Sequence, residues 1–237
     1  MKTIISLENV TKDYGQGDIK VQALRGVSLT LGEGEFTAMA GPSGSGKSTL
    51  LNIIGALDRP TSGKVVVDEK YLGGMSHSAL SRLRRDRIGF VFQNYNLIPV
   101  LTALENAEYV LMLRGVPAAE RRDRVRAILK EVGLEGKEKR FPRELSGGQQ
   151  QRVAIARAIV TEPLLILADE PTANVDSKTG AALMDLMMEM NENKGVTFLF
   201  STHDPSVMKR SRRLVFLADG KITYDGPYKD ELLAVAE

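Results

Sequence analysis

Gly41-Pro42-Ser43-Gly44-Ser45-Gly46-Lys47-Ser48 fits the phosphate-loop pattern G-x-x-x-x-G-K-[ST] at every fixed position. Such a loop holds a phosphate chain. Its glycines let backbone N–H groups turn inward around phosphate oxygens, and a helix starting near Lys47 adds unpaired N–H groups and its positive dipole end. Lys47 is expected to meet the β- and γ-phosphates, and the Ser48 hydroxyl is placed to ligate Mg²⁺. A second cluster, Leu164-Leu-Ile-Leu-Ala-Asp169-Glu170, is an apolar strand ending in two acids. Asp169 is delivered to a Mg²⁺ shell, and Glu170, one residue on, can face an attacking water. The third cluster is Leu145-Ser146-Gly147-Gly148-Gln149. Ser146 is a good N-cap and two glycines expose the helix start, which makes a second anion-binding helix terminus in one chain.

These clusters need elements to carry them. Ile4 to Val10, Val21 to Leu31 and Glu35 to Ala40 alternate apolar and polar residues between Gly turns and are expected to be several short strands. Ser48 to Leu57 has helical spacing at Leu50, Leu51, Ile54 and Leu57, so strand, glycine turn and helix follow in order. Strands are expected at Gly63 to Asp68 and Ile88 to Gln93, with the helix-compatible Ser78 to Arg87 between them. The pattern from Leu101 to Leu134 is helical, with one stretch opening at Ala103-Leu104-Glu105-Asn106 and a second at Ala118 to Val132. A helix at Ser146 to Val160 precedes short apolar strands at Leu164 to Ala168, Thr197 to Ser201 and Leu214 to Ala218, which alternate with helices at Lys178 to Glu192 and Pro205 to Arg210. Alternation of this kind implies right-handed crossovers and a parallel sheet, with ligands at the carboxyl ends of the strands.

Composition narrows the class. The 237 residues carry 32 Lys+Arg against 30 Asp+Glu, a formal net charge of +2, and 43% are hydrophobic, ordinary for a globular chain. No run approaches the roughly 18 to 20 apolar residues that a bilayer crossing needs. The densest, Leu164 to Ala168, stops at Asp169. The first ten residues hold a single Lys and reach Glu8 early, so no secretory leader is expected, and the absence of cysteine excludes a disulfide framework and cysteine-ligated zinc. A reducing, cytosolic setting follows. The basic runs at Arg82 to Arg87, Arg121 to Arg126 and Lys209 to Arg213 are read as solvated helix faces, so no nucleic-acid partner is expected. His77 is read as a surface residue, and Met184, Met187, Met188 and Met190 as core packing on one helix.

The phosphate loop, the Leu-Ser-Gly-Gly-Gln signature and the Asp-Glu strand, in this order, resemble the ATP-binding cassette (ABC) family. The resemblance implies an α/β fold: a RecA-like P-loop NTPase core with an antiparallel β lobe and an inserted α-helical signature subdomain. Residues 1–93 and 164–237 would form the core and its β lobe, and 94–163 the helical subdomain. It also implies ATP and Mg²⁺, with Gly41, Pro42, Ser43, Gly44, Ser45, Gly46, Lys47, Ser48 and Thr49 around the phosphates. Tyr14 matches the aromatic that stacks on adenine, a contact that tolerates any base. Gln93 matches the glutamine that touches Mg²⁺ and moves with the transporter contact, and His203 the histidine that reaches the γ-phosphate. Asp176, in Ala173-Asn174-Val175-Asp176, fits the loop that communicates across a dimer. The mechanism implied is a head-to-tail homodimer in which ATP on Lys47 of one subunit is covered by Ser146, Gly147, Gly148 and Gln149 of the other. Glu170 and His203 would serve hydrolysis, with Gln93 beside them, and Ser48, Gln93 and Asp169 would hold the metal.

The stretch from Tyr14 to Ser28, together with Gln93 to Pro99, Leu101 to Asn106 and Leu167 to Thr172, is similar to the lipoprotein-releasing, macrolide-exporting and cell-division ABC ATPases (LolD, MacB and FtsE type). That group usually has Gly-Asn-Leu-Asp where this chain has Ala173-Asn174-Val175-Asp176. The resemblance implies a separate membrane-spanning permease and a peripheral site on the cytoplasmic face of the inner membrane. A signalling ATPase of a cell-division complex uses the same cassette and stays open as an alternative. So does a soluble ABC ATPase, although the long coiled coil, zinc cysteines or second cassette of those types are not in this sequence.

Overall fold

The computed structural model describes residues 2–16 and 19–230. In chain order it has strands β1 (Thr3–Gln16), β2 (Ile19–Gly32) and β3 (Phe36–Ala40), helix α1 (Lys47–Ile54), strands β4 (Ser62–Val67) and β5 (Lys70–Tyr71), helix α2 (His77–Arg87) and strand β6 (Ile88–Val91). Helices α3 (Ala103–Leu113), α4 (Ala118–Glu131) and α5 (Gly147–Ile159) come next. They are followed by β7 (Leu165–Asp169), α6 (Ser177–Lys194), β8 (Thr197–Ser201), α7 (Pro205–Met208), β9 (Arg213–Ala218) and β10 (Lys221–Gly226). The chain divides into two compact units, one of residues up to Leu83 with those from Thr197 on, the other of Arg84–Val196.

In the first unit β3 lies between β8 and β9 and is parallel to both, with Met39 opposite Ser201 and Ala40 opposite Phe216. All five residues of β3 and of β8 are buried, which is why Phe36-Thr-Ala-Met-Ala40 and Thr197-Phe-Leu-Phe-Ser201 are nearly unbroken apolar runs rather than alternations. Phe36 packs on Phe198 and Phe200 with ring centroids 5.5 and 5.0 Å apart. β10 closes the edge antiparallel to β9 through Asp219 and Gly220, both at positive φ, a turn residue pair that signals a hairpin. A second, antiparallel layer runs β2-β1-β4-β5.

The expected short opening strands are instead two strands of 14 residues. Gly15 does not break β1 but pairs with Lys20 inside the hairpin, and the irregularity is absorbed by register shifts such as that between Leu7 and Val10, where Asn9 has φ 47. β10 was not anticipated, because as an edge strand it alternates exposed and half-buried residues and carries only Ile222 and Tyr224 as an apolar face.

In the second unit β6 and β7 pair in parallel, Val91 opposite Ala168. Between them in sequence come α3, α4 and α5, whose buried stripes, including Ala107, Leu111, Val125, Leu129, Val153 and Ala156, pack together. Gly89 is needed where β6 meets α5, since a Cβ there would lie 2.7 Å from Ala158 O. Of the α6 methionines, Met184, Met187 and Met190 are buried in the core as expected while Met188 is only half-buried, and His77 is exposed.

Candidate active site

The phosphate loop joins β3 to α1. Gly41 (φ 142), Gly44 (φ 78) and Gly46 (φ 105) adopt backbone conformations that side chains disfavour. Packing makes two of them obligatory: a Cβ on Gly41 would run into Leu217 O of β9, and one on Gly46 would lie 2.6 Å from Ala23 O of β2. The loop is held by Ser45 N donating to Pro42 O (3.2 Å), Gly220 N to Ser45 O (3.1 Å) and Leu50 N to Gly46 O (2.9 Å). Lys47 is 9% exposed. Its ammonium donates to Gly41 O and Pro42 O at 2.8 Å each, so the cation lies over the loop that carries it. Pro42, Ser43, Gly44 and Ser48 are exposed and Thr49 is half-buried.

These residues fit a phosphate chain on two observations. The Ser45 hydroxyl oxygen is buried yet has no hydrogen-bond partner among the described residues, a costly arrangement unless an acceptor such as a phosphate oxygen completes it. None of the described residues in the first turn of α1 is acidic, so its positive end is not neutralised locally. Among the described residues no cluster of three or more His, Cys, Asp or Glu could hold a metal alone.

His203 lies in the same unit, exposed, two residues beyond β8. Because β8 is parallel to β3, His203 and Gly41 emerge at the same end of the sheet, and Thr202 N donating to Met39 O at 3.0 Å ties the two strand exits together. Tyr14, near the end of β1, is 42% exposed, and its Oη donates to Asp58 Oδ2 at 2.7 Å. Burial and that bond raise the phenol's pKa, against a hydrogen bond with Thr49.

In the second unit Asp169 is the last residue of β7, and Gln93 lies two residues past the neighbouring β6, so both emerge at the carboxyl end of a parallel pair. Glu170 has φ 47, in the left-handed region that residues other than glycine adopt only at a minority of positions. Its carbonyl accepts from Ala173 N at 3.2 Å, which turns the chain sharply after the strand. Ser146 caps α5: its Oγ accepts from Gln149 N at 3.3 Å while Gln149 Oε1 accepts from Ser146 N at 3.1 Å. Asp176 caps α6, accepting from Thr179 N at 3.0 Å and Thr179 Oγ1 at 2.6 Å, and these bonds hold its pKa below the ordinary carboxylate value.

The signature glycines have partners within this unit. A Cβ on Gly147 would lie 2.7 Å from Tyr95 Oη, and one on Gly148 would collide with Thr179 Cγ2. Tyr95 Oη donates to Asn174 O at 3.1 Å, and Asn174 Nδ2 donates to Gln93 O at 2.9 Å and Asn94 Oδ1 at 3.1 Å. Arg157 of α5 donates to the carbonyls of Tyr95 and Asn96, both at positive φ, and its burial lowers its pKa. The segments holding Gln93, Asp176 and Ser146 are thus fastened to one another by Tyr95, Asn174 and Arg157; Asn174 stands in the Ala173–Asp176 loop that the sequence marks, but these fastening bonds are not legible there. Asn106 stands at a helix start and ends the Leu101 to Asn106 stretch of family likeness, but its own role is structural. It is fully buried and its amide holds the 98–102 turn, donating to Ile98 O (3.1 Å), Leu101 O (2.9 Å) and Thr102 O (3.0 Å) and accepting from Ile98 N (2.7 Å). Gln151, also buried, donates to Pro171 O at 2.7 Å. Four contacts to backbone around one amide were the available signal only in three dimensions.

A glycine-cradled loop between a buried parallel strand and a helix, with acids at the end of another parallel strand and a capped Ser-Gly-Gly helix start, defines a P-loop nucleotide-binding cassette. Comparison with protein families matches residues 24–173 to the family described as ABC transporter. The lipoprotein-releasing system ATP-binding protein LolD of Anaeromyxobacter dehalogenans is 48% identical over 226 residues, covering 95% of each chain. A macrolide export ATP-binding/permease protein MacB of Marinobacter nauticus is 43% identical over 94% of this chain but only 35% of its own length. The solved dimer of the cassette MJ0796, from Methanocaldococcus jannaschii, in a post-hydrolysis state with ADP and Pi, superposes with a TM-score of 0.89 at 46% identity, covering 95% of this chain and 99% of that one. The chain belongs to the ABC transporter family and has its ATPase fold.

Proposed function

We propose that this chain is the ATP-binding and ATP-hydrolysing subunit of an ABC transporter: two copies close head to tail around two ATP and drive a separate permease of lipoprotein-releasing or macrolide-exporting type from the cytoplasmic face of the membrane. The observation that carries the reading is the phosphate loop, whose buried Ser45 hydroxyl and Lys47 ammonium are assembled around Gly41 and Gly46, where packing leaves no room for a side chain. The MJ0796 dimer with ADP and Pi supports hydrolysis and dimerisation, and the likeness to LolD and MacB supports the type of partner. Among the described residues no helix is long and apolar enough to cross a membrane, so a separate permease would carry the transmembrane path.

In this mechanism Lys47 leaves the carbonyls of Gly41 and Pro42 for phosphate oxygens, and Ser45 donates to another. Tyr14 stacks on the base. Ser48, Gln93 and Asp169 would hold Mg²⁺, which when bound neutralises charge developing on the transferred phosphoryl group. Glu170 accepts a proton from the attacking water, and His203 donates toward the γ-phosphate. Ser146, Gly147, Gly148 and Gln149 of the partner copy present the start of α5 to the same phosphates, and Asp176 holds the loop that faces that copy.

The test is to trap Glu170→Gln with ATP in host membranes, solubilise gently and identify the co-purifying proteins. A partner with few membrane helices and a large extracytoplasmic domain is the expected result. A cell-division complex, or no membrane protein at all, overturns the assignment of partner.

A further inference from the structure

Tyr14 is held by Asp58 and Lys12, two charged residues that no motif marks, and shares a hydrogen bond with Thr49 of α1. Its Oη donates to Asp58 Oδ2 at 2.7 Å. Lys12 Nζ donates to Asp58 Oδ1 at 2.7 Å and to Arg59 O at 2.8 Å, and the same ammonium lies 4.7 Å from the centroid of the Tyr14 ring. Arg59 N also donates to Asp58 Oδ1, at 2.7 Å. Lys12 and Tyr14 are two apart on β1 and so share a face of the strand. Asp58 belongs to the turn that leaves α1, where Leu57 N and Asp58 N both donate to Asn52 O at 2.8 and 3.2 Å. The bracket therefore links the end of β1 to the helix that the phosphate loop begins.

The geometry has two consequences for a stacking ligand. Lys12 covers one face of the ring while being only 12% exposed itself, so a flat ligand has the opposite face to use. The phenol proton is directed to Asp58, and the ammonium bonds to Asp58 and Arg59, so these groups are turned to one another rather than to the edge of a base. Burial pushes the Asp58 carboxyl up, but bonds from Lys12, Tyr14 and Arg59 N outweigh it and leave the group ionised below its ordinary range. A ring whose plane and open face are fixed beforehand loses less freedom when a base stacks on it.

We propose that Asp58 and Lys12 are positioning residues that fix the plane and the open face of Tyr14, so that the site takes its nucleotide by the π-face of the base and not by its edge. The proposal rests on the reading that Tyr14 stacks on the base.

The experiment measures binding of Mg·ATP, Mg·GTP and inorganic tripolyphosphate by calorimetry to the full chain and to Tyr14→Ala, Tyr14→Phe, Lys12→Met and Asp58→Asn. Losing one net hydrogen bond predicts that Asp58→Asn weakens ATP about fivefold, that Tyr14→Phe, which also loses its bond with Thr49, weakens it at least as much, and that tripolyphosphate, which has no base, binds all variants alike. The unaltered protein binds ATP and GTP within about threefold of each other, well under the tenfold that 1.4 kcal/mol of edge recognition would give. If Tyr14→Ala weakens ATP while Asp58→Asn, Lys12→Met and Tyr14→Phe all bind it normally, stacking stands and the bracket falls. Equal losses for ATP and tripolyphosphate overturn the proposal too, because the damage then lies in the phosphate loop. If Tyr14→Ala binds ATP normally, the stacking reading itself fails and takes the proposal with it. Tyr14→Phe deletes a single oxygen, so the test survives if a charged-residue variant does not fold.

Discussion

Gly147→Ala is a perturbation whose cost the structure places on one atom. The new Cβ would lie 2.7 Å from Tyr95 Oη and 3.3 Å from Asn174 O, whereas the ring carbon beneath the hydroxyl is 3.7 Å away. An ordinary contact needs the hydroxyl to retreat by about 0.7 Å, and that breaks its 3.1 Å bond to Asn174 O. The loss is about 1 kcal/mol, offset in part by the preference of a helix for Ala over Gly, up to about 1 kcal/mol in a helix interior and less in the first turn. Tyr95→Phe loses the same bond and removes the clashing atom. Adding Gly147→Ala to Tyr95→Phe then has only the 3.3 Å approach to Asn174 O left to relieve, and the double-mutant cycle gives a coupling of about 1 kcal/mol. Urea unfolding of the four proteins without nucleotide measures this apart from any effect on turnover. If Gly147→Ala costs the same with and without the hydroxyl, within about 0.3 kcal/mol, the signature glycine is not there to admit Tyr95.

Asn106→Ala leaves the 98–102 turn without its central amide and is expected to cost about 3 kcal/mol in denaturant unfolding; a loss under about 1 kcal/mol would mean that water replaces the amide. Lys47→Met is expected to abolish measurable ATP binding by calorimetry while the protein melts near the unaltered temperature, and retained affinity removes Lys47 from the site. The Asp176 cap sets a pH dependence. Its folded pKa is depressed below the ordinary 3.8, so its stabilisation is present above that value and is lost as pH falls through the lower folded value. Melting temperatures over this acid range are expected to fall more steeply for the unaltered chain than for Asp176→Asn, and parallel curves contradict the assignment of the cap.

What could be read from the sequence depended on how local the cause was. The phosphate loop, the Asp-Glu strand end and the Ser146 cap are each set within about eight residues, so type and spacing suffice. Buried strands such as β3 and β8 were legible because both faces are covered and their runs are apolar throughout. The hairpin of β1 and β2 was harder, because bulges at positions such as Asn9 break the alternation that marks a strand. Tyr95, Asn174, Arg157, Asp58 and Lys12 act through partners tens of residues away, for example Tyr95 on Asn174 and Lys12 on Asp58. Tyr95 and Asn174 lie inside stretches that carry the family likeness, but nothing near any of the five marks these distant bonds. Asp176 was legible as an acid at a motif position, but its work as the cap of α6 needed the geometry of Thr179.

In the proposed mechanism this chain hydrolyses ATP as a dimer that the nucleotide itself brings together. Light scattering of Glu170→Gln with Mg·ATP, alongside phosphate release from the same sample, tests it most directly. The expected result is a doubling of mass on adding ATP, reversal when ATP is removed, and phosphate release far below that of the unaltered chain. A mass that stays that of one chain while ATP is bound, or phosphate release at the unaltered rate, would contradict it.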